Sequence, residues 1–296
     1  MAKSVAAIIV TFNRIDLLKE NIKALNNQSI SLSHIIIVNN NSSDGTTDYL
    51  TKYIGNSKYI VMNMNENMGG AGGFNQGLKL AINKTDDDYF WLMDDDTIPT
   101  EDSLKYLIEK ASFLKDQFGY LCSNVRWKDG SPSNVPEISA DWSKLIEYGL
   151  ISVKIATFVS FFVNRSMVEE VGYPIADFFI WGDDVEYSLR LRRKQSCYMV
   201  IDSKIIHKSQ SVTSKQSIIT DDSNRLDRYF YSHRNFVYIG HKYQHKSFFR
   251  MFLGKMRLIL QVLIKSNNLK LKRIFIILKA YFKGINFKPI VEKIKK

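Results

Sequence analysis

Short apolar runs alternate with segments of helical spacing along the first hundred residues. Four runs are apolar at almost every position, as expected of strands buried on both faces of a sheet: Val5–Val10, Ile35–Val38, Tyr59–Met64 and Tyr89–Met93. Three segments with apolar residues three or four positions apart are predicted helices: Asp16–Leu25, Phe74–Ile82 and Asp102–Lys115. This alternation predicts an α/β fold, with an open and mostly parallel sheet flanked by helices.

The second half of the chain follows the same pattern less regularly. Residues 126–150 are predicted to be irregular, and further strands are predicted by apolar runs: Ala156–Val163, Tyr198–Ile201 and Ile205–His207. A polar stretch, Gln210–Asn224, then separates the body of the chain from its tail. We therefore predict a body over residues 1–215 and a basic, amphipathic, helical C-terminal region over residues 216–296.

The net charge of +11 is concentrated in the tail. Residues 241–296 hold 15 of the 41 Lys and Arg residues and one acid, Glu292, whereas residues 1–240 hold 26 bases and 29 acids. The body is therefore not a nucleic-acid binder by charge, and no aromatic platform accompanies the basic tail. We expect no nucleic-acid partner.

Cysteine content and apolar run length indicate the compartment. Cys122 and Cys197 are too few for a disulfide framework or a Cys-rich zinc site, which favours a reducing environment. The N-terminus lacks the features of a signal peptide, and no run of about 18 apolar residues predicts a membrane span. We therefore expect a cytoplasmic chain.

Three carboxylates, Asp94–Asp96, directly follow the fourth predicted strand. Adjacent carboxylates repel one another unless a cation or partner offsets them, and oxygen ligands suit Mg²⁺ or Mn²⁺. Since alternate residues of an extended segment face the same way, Asp94 and Asp96 are placed to share an ion while Asp95 turns aside. The alternative is a solvated acidic loop, which is our interpretation of Asp86–Asp88.

The segment Asn67–Asn75 contains four glycines and precedes a predicted helix. Such a loop lets the backbone approach a ligand closely and present amide donors to phosphate. It matches neither a dinucleotide fingerprint nor a P-loop, so neither of those sites is expected. A flexible turn without function is the alternative.

Further carboxylates, among them Asp183 and Asp184, begin a predicted helix just after Trp181. A carboxylate in a partly apolar pocket can act as a general base because desolvation raises its pKa. Capping of the helix N-terminus is the alternative. His207, at the end of an apolar strand, is by itself most simply a core histidine, unless a metal needs one more ligand.

Taken in order, these motifs resemble the inverting family 2 glycosyltransferases, which have the nucleotide-binding GT-A fold. Thr11–Arg14 is similar to the nucleotide loop after the first strand, and Val38–Thr46 to the family segment V-D-N-x-S-x-D-x-T. Asn67–Asn75 and Asp94–Asp96 most closely resemble the galactofuranosyl- and rhamnosyltransferase branch. Trp181–Glu186 resembles a segment of that branch whose second Asp is taken as the catalytic base.

The resemblance implies a role for each matching residue. Asp184 would deprotonate the acceptor hydroxyl, with Asp183 beside it. Asp94, Asp96 and His207 would hold Mn²⁺ or Mg²⁺. The residues implied in substrate binding are Thr11, Asn13, Arg14, Asn39, Asn40, Asn67, Gly70, Asp94, Asp95 and Trp181.

Two positions depart from the family pattern. Asn39 stands where most of the family has Asp, although an amide can still bind uracil or ribose. Gly182 separates Trp181 from the acidic pair, which leaves the choice of base between Asp183 and Asp184 open.

Apolar and basic residues interleave between Lys246 and Lys296. Helices of this composition can lie in a membrane interface, where each base near anionic lipid contributes about 1 kcal/mol. We expect peripheral association with an anionic membrane surface, the inner face of the bacterial plasma membrane. The alternative is packing on the body or on a second copy of the chain, as a homo-oligomer. Tyr229–Asn235 is expected to join body and tail, with an Arg or His there, such as Arg234, reaching the donor phosphates.

The resemblance implies a metal-dependent, inverting transferase in bacterial surface glycan synthesis. The expected reaction moves galactofuranose from UDP-galactofuranose to a polysaccharide or lipid-linked acceptor. A rhamnosyltransferase using dTDP-rhamnose is the alternative of the same class. A non-catalytic, membrane-docked subunit that binds a nucleotide sugar is the alternative of another class.

Overall fold

The computed structural model describes residues 3–209 and 217–294. Ten strands in these residues form one mixed sheet: β1 (Val5–Thr11), β2 (His34–Asn39), β3 (Tyr59–Asn63), β4 (Tyr89–Asp94), β5 (Thr97–Pro99), β6 (Leu121–Trp127), β7 (Glu137–Ile138), β8 (Leu150–Ile155), β9 (Phe161–Asn164) and β10 (Cys197–His207). The α-helices are α1 (Ile15–Asn26), α2 (Thr46–Leu50), α3 (Gly69–Lys84), α4 (Ser103–Phe113), α5 (Arg165–Val171), α6 (Asp183–Arg192), α7 (Arg228–Gln244), α8 (Phe248–Lys265) and α9 (Lys270–Ile285). The predicted fold class, a mixed sheet flanked by helices with a helical C-terminal region, is confirmed.

The strands with the longest apolar runs lie together in the sheet. The strand order is β3-β2-β1-β4-β9-β6-β10-β8-β7, with β5 paired to β10. The first four strands in this order are parallel, and β9 runs antiparallel between β4 and β6. Because the carboxyl ends of β1, β2 and β4 lie at one edge of the sheet, the polar segments that follow them converge there.

Both faces of the central strands are buried, which explains their uninterrupted apolar sequence. Ile9 and Trp91 belong to one apolar core, and Ile8 and Phe90 belong to the core on the opposite face. None of these side chains is exposed. A strand covered on both faces has no polar alternation, as the sequence pattern predicted.

Two strand predictions in the second half were wrong in their bounds. Only the end of the predicted strand Ala156–Val163 is a strand, since β8 ends at Ile155 and β9 begins at Phe161. The Ser188 hydroxyl hydrogen-bonds both the N–H and the carbonyl of Ala156, at 3.1 Å each, so this backbone leaves the sheet ladder. Conversely, the two short strands predicted around residues 198–207 are halves of β10, which has an irregularity between Val200 and Lys204.

The glycine-rich segment is not a loop before a helix, as predicted, but the first turns of α3 itself. A Cβ atom at Gly73 would lie 2.4 Å from Cγ1 of Val10, and one at Gly77 would lie 2.5 Å from Cγ2 of Ile8. These glycines therefore let α3 pack closely on β1. Composition alone predicts a turn here because glycine is a poor helix former, and only the helix–sheet contact overrides that preference.

Gly73→Ala should destabilise the protein by about 1–3 kcal/mol, because the added methyl group overpacks the contact with Val10. Urea denaturation measures the free energy of unfolding. Gly254→Ala is the matched control, since Gly254 lies within α8 and a Cβ there would meet nothing within 4 Å. The control should be neutral or stabilising by up to about 1 kcal/mol. Equal stability of Gly73→Ala and wild type would contradict the close approach of α3.

The segment Asp86–Asp88 was predicted to be a solvated acidic loop, and this is wrong for two of its residues. Asp87 is buried and pairs with Nδ1 of His34 at 2.6 Å. Asp88 accepts a hydrogen bond from the Ser4 backbone N–H at 2.9 Å. These contacts tie the start of β4 to β1 and β2, so the segment has a structural role.

The C-terminal helices pack against the body through a small apolar core. Ile259 of α8 and Ile277 of α9 share this core with Tyr229 of α7 and with Trp181 of the body. The predicted boundary at residue 215 and the first half of the predicted polar stretch lie outside the described residues. The division into two parts therefore stays a prediction.

Candidate active site

Two adjoining cavities open at the carboxyl ends of β1 and β4. The first, about 310 Å³ and here called the acidic cavity, has these polar residues in its lining: Asp94, Asp96, Asp183, Asp184 and His207. The second, about 240 Å³ and here called the loop cavity, is lined in part by Thr11, Asn40, Asn67, Gly69 and Asp95. Both cavities are lined by Arg14, Gly70, Asp94, Ile180 and Arg228. A wider depression of about 740 Å³ lies beside α1 and β5. We place the functional site in the adjoining cavities because carboxylates, imidazole and guanidinium groups converge only there among the described cavities.

The three consecutive carboxylates have different partners. Asp95 accepts hydrogen bonds from the Thr11 hydroxyl at 2.8 Å and from the Phe12 backbone N–H at 3.3 Å, so it fixes the loop after β1. Asp96 lies between Nη1 of Arg14, at 2.6 Å, and Nε2 of His207, at 3.1 Å. The Asp94 side chain makes no hydrogen bond or ion pair with any residue that the structure describes.

The electrostatics of this triplet suit a cation. Burial, together with the charges of Asp96 and Asp95, raises the pKa of Asp94 to about 7. Burial acts in the same direction on Asp96, but the hydrogen bond and charge of His207 and the charge of Arg14 lower its pKa overall. Burial also raises the pKa of Asp95, to about 6. The charges of His207 and Arg14 offset the shift of Asp94 only in part, so a bound cation would favour its ionised form.

The residues fit a divalent metal by their chemistry. Two carboxylates and an imidazole are ligands that Mn²⁺ accepts, and Asp96 already lies beside His207. Across residues 3–209 and 217–294, no group of three or more His, Cys, Asp or Glu side chains is arranged so that it could hold a metal ion. The ligand role of Asp94, Asp96 and His207 therefore stays a prediction.

The asparagines in the loops after β2 and β3 form hydrogen bonds within the protein. Asn40 spans the start of α3, since its amide donates to the Gly69 carbonyl and its oxygen accepts from the Met68 N–H, both at 2.9 Å. Asn67 accepts from the Gly69 N–H at 2.8 Å. Asn40 and Asn67 line the loop cavity, and their contacts with a donor stay predictions.

Asn39 and Asn13 do not line either cavity. Asn39 is fully buried, its amide donates to Thr47 and Asn63, and its oxygen accepts from the Ser42 N–H. Asn13 accepts from the Ser43 N–H at 2.7 Å and so ties the loop after β1 to the loop after β2. The structure places both as positioning residues of these loops. Their predicted substrate contacts are untested.

Two carboxylates, Asp183 and Asp184, begin α6 and line the acidic cavity together with Asp94. Gly182 precedes them with φ of 94°, a conformation that a residue with a Cβ adopts only with strain. Burial and the charge of Asp184 raise the pKa of Asp183 well above its usual value. Burial also raises the pKa of Asp184, to about 6, against the lowering effect of backbone N–H donors such as that of Val185. With a pKa of about 6, Asp184 is therefore mostly ionised at neutral pH, as a general base must be.

The loop that carries Trp181 is held by the C-terminal region. The Asn235 amide of α7 donates to the Trp181 carbonyl at 2.7 Å and to the Phe178 carbonyl at 3.0 Å. The Trp181 ring packs against Tyr229, with centroids 5.1 Å apart. The segment Tyr229–Asn235 thus contacts the body, as predicted. Through these contacts α7 positions the Trp181 side of the acidic cavity.

The cavity-lining bases of this region differ from those expected. Arg225 and Arg228 line the acidic cavity, and Arg228 lines the loop cavity as well. Arg234 instead donates to the Asp177 carbonyl at 2.6 Å, and His233 contacts Lys255. Arg228 is exposed, and its side chain makes no hydrogen bond or ion pair with the described part of the chain. In the sequence, Arg228 is marked only by its spacing from Arg225, three positions earlier, after the polar stretch.

Comparison with solved structures supports the fold assignment. A crystal structure of GalNAc-T7 with UDP, GalNAc and Mn²⁺ superposes with a TM-score of 0.64 at 15% identity, covering 92% of this chain and 54% of that one. The GT-A fold is thereby confirmed.

Sequence comparison identifies relatives with named activities. Poly-beta-1,6-N-acetyl-D-glucosamine synthase of Staphylococcus aureus is 27% identical over 199 residues, or 64% of this chain and 46% of the synthase. The present chain thus spans about half the length of that relative. Galactofuranosyltransferase GlfT1 of Mycolicibacterium smegmatis is 27% identical over 205 residues, or 64% of this chain and 65% of GlfT1. The model of glycosyl transferase family 2 matches residues 6–172, more than half of the chain, which therefore belongs to that family.

Proposed function

We propose that this protein is a metal-dependent, inverting glycosyltransferase of bacterial surface glycan synthesis. Its reaction would move galactofuranose from UDP-galactofuranose to a polysaccharide or lipid-linked acceptor. The observation that carries this proposal is the acidic cavity itself, which is lined by an ionisable Asp184 together with Asp94, Asp96 and His207. Binding alone does not require carboxylates both at the end of β4 and at the start of α6.

The two cavities would bind different parts of the donor. The loop cavity has the size and amide lining for the nucleoside, and its border with the acidic cavity suits the diphosphate. Arg14 and Arg228 at that border supply positive charge, and Gly70 lets the ligand approach the start of α3. Mn²⁺ or Mg²⁺ held by Asp94, Asp96 and His207 would neutralise charge on the leaving diphosphate.

The acceptor occupies the acidic cavity beside Trp181. Asp184 accepts the proton of the acceptor hydroxyl as that oxygen attacks the anomeric carbon. The bond from that carbon to the donor phosphate breaks, and UDP leaves with the electron pair. Asp183, whose pKa is raised by burial and by the charge of Asp184, positions the acceptor. One direct displacement inverts the anomeric centre without a covalent intermediate.

The kinship with GlfT1 supports galactofuranose as the transferred sugar. A panel of nucleotide sugars, incubated with purified protein and Mn²⁺ and analysed by mass spectrometry, tests this choice. We expect UDP release from UDP-galactofuranose. Release of dTDP from dTDP-rhamnose would keep the mechanism and replace the sugar. No release from any donor, with nucleotide binding intact, would favour the non-catalytic subunit.

The rate should depend on pH through Asp184. Because the base works only as the ionised carboxylate, kcat/KM should rise as the pH increases through about 6 and then level off. Below that pH the rate should fall about tenfold per pH unit. The residual rate of the Asp184→Asn variant should not show this fall below pH 6. A wild-type profile that is flat around pH 6 would contradict the assignment of the base.

Arg228→Ala should raise KM for the donor by about 10- to 100-fold, since a hydrogen bond between charged groups is worth about 1.5–3 kcal/mol. Arg228→Lys should recover part of this loss. Arg257→Ala, which removes an exposed base from α8, is the matched control and should leave KM unchanged when no membrane is present. An unchanged donor KM in Arg228→Ala would remove this residue from the diphosphate site.

We also propose that the enzyme works at the inner face of the bacterial plasma membrane. No helix in the described portion of the chain is both long and apolar enough to span a bilayer. Attachment through the surface of the C-terminal region, rather than through a membrane-spanning helix of this portion, is the mode developed below.

A further inference from the structure

Helices α8 and α9 each expose an apolar stripe. On α8 the exposed residues Phe249, Leu253, Met256, Leu260 and Leu263 follow one another at intervals of four, three, four and three positions, which places them on one side of the helix. On α9 the exposed Leu271, Phe275 and Phe282 repeat at four and seven positions. The exposure is large, reaching 70% for Phe249 and 83% for Leu271.

The two stripes face the same way. The helices are antiparallel, since the Tyr281 hydroxyl at the end of α9 donates to the Phe248 carbonyl at the start of α8. Phe252 and Tyr281 contact each other across the pair, with ring centroids 5.4 Å apart. Phe252 comes one position before the stripe residue Leu253, and Tyr281 comes one position before the stripe residue Phe282. Because the helices are antiparallel and this separation is the same on both, the two stripes lie on one surface, here called the α8–α9 platform.

Basic residues border the platform on its outer edges. Arg250 and Arg257 come one position after stripe residues of α8, and Lys283 comes one position after a stripe residue of α9. Their side chains therefore project on the flank opposite the helix partner. Lys272 holds the equivalent position near the start of α9, but it is paired with Asp227 at 3.2 Å. Neither helix contains an Asp or Glu residue. The platform has an apolar centre and two positive edges.

We propose that the α8–α9 platform docks on the surface of an anionic lipid bilayer, with its apolar centre in the interface and its basic edges at the headgroups. Apolar area and attraction to anionic lipid act together in such helices. A second copy of the chain is a poorer occupant, because two platforms placed face to face would bring like-charged edges together.

The docked orientation has a consequence for the acidic cavity, and this step rests on the proposed function. The inner faces of α8 and α9 pack, through Ile259 and Ile277, in the same core as Trp181. Docking would therefore hold the Trp181 loop in a fixed position relative to the bilayer surface. A lipid-linked acceptor lies at that surface.

Vesicle flotation with the full chain tests the docking, without donor or acceptor, so that an inactive protein can still bind. We expect binding to vesicles of phosphatidylcholine mixed with phosphatidylglycerol to exceed binding to phosphatidylcholine vesicles by about tenfold or more. The double variant Leu260→Asn/Phe275→Asn should lose about tenfold in binding. The triple variant Arg250→Gln/Arg257→Gln/Lys283→Gln should lose the preference for anionic lipid.

Matched controls alter the same chemistry elsewhere. Ile54→Asn changes an apolar residue of the body that is 71% exposed, and Lys23→Gln/Lys84→Gln/Lys128→Gln removes the same charge from exposed positions of the body. Both controls should bind like wild type, and thermal unfolding confirms that all variants fold. Equal binding of wild type to both kinds of vesicle, or unchanged binding of the platform variants, would overturn the proposal. So would loss of a dimer in Leu260→Asn/Phe275→Asn, seen by sedimentation velocity, with vesicle binding retained.

Discussion

Asp184→Asn should lower kcat by about 10²- to 10⁴-fold while leaving nucleotide binding close to that of wild type, because the amide cannot accept the proton of the acceptor. UDP release measures turnover, and calorimetric titration with UDP measures binding in the same preparation. The large effect is expected because Asp184, with a pKa of about 6, is ionised at neutral pH and can act as the base.

Asp183→Asn is the matched control for that experiment. Asp183 is only 7% exposed, and burial together with the charge of Asp184 raises its pKa, which disfavours the ionised form that a general base needs. Its loss of turnover should be much smaller than that of Asp184→Asn. The opposite ranking would assign the base to Asp183. Loss of UDP binding in Asp184→Asn would favour a nucleotide-sugar-binding subunit over an enzyme.

Asp96→Asn should lower turnover by about a thousandfold or more and abolish Mn²⁺ binding, since a metal contributes several kcal/mol of charge stabilisation to such a reaction. Electron paramagnetic resonance of free Mn²⁺ reports binding without reference to activity. Wild type in excess chelator should lose turnover to the same extent and recover it when Mn²⁺ is restored.

Asp202→Asn is the control for the metal experiment, because Asp202 is an exposed carboxylate on β10, the strand that ends at His207. It should bind Mn²⁺ and turn over like wild type. Full wild-type turnover in chelator would contradict a metal-dependent mechanism, whatever Asp96→Asn does.

The central strands and the position of the acidic triplet followed from the sequence for one physical reason. β1, β2 and β4 are buried on both faces, so their sequence is apolar without interruption and ends sharply at the polar residues beyond. Asp94 ends β4, and parallel strands bring such ends to one edge. The convergence of these polar segments at one edge of the sheet was therefore predictable before any contact was known.

Other features depend on contacts between distant parts of the chain. The sequence predicts a turn at Gly73, whereas the structure packs Gly73 against Val10 within a helix. The sequence likewise predicts a solvated Asp87, whereas the structure pairs it with His34. Arg228 joins the site only because α7 packs on the Trp181 loop through Asn235. Nothing in the local sequence around these residues specifies those partners.

The central claim is a single direct displacement, and the anomeric configuration of the transferred sugar tests it most directly. Proton NMR of the product formed from UDP-α-D-galactofuranose, with Mn²⁺ and a glycan acceptor, gives that configuration. We predict a β-linked galactofuranosyl product, with no sugar covalently bound to the protein during turnover. An α-linked product, or a trapped glycosyl–enzyme adduct, would contradict the mechanism assigned to Asp184.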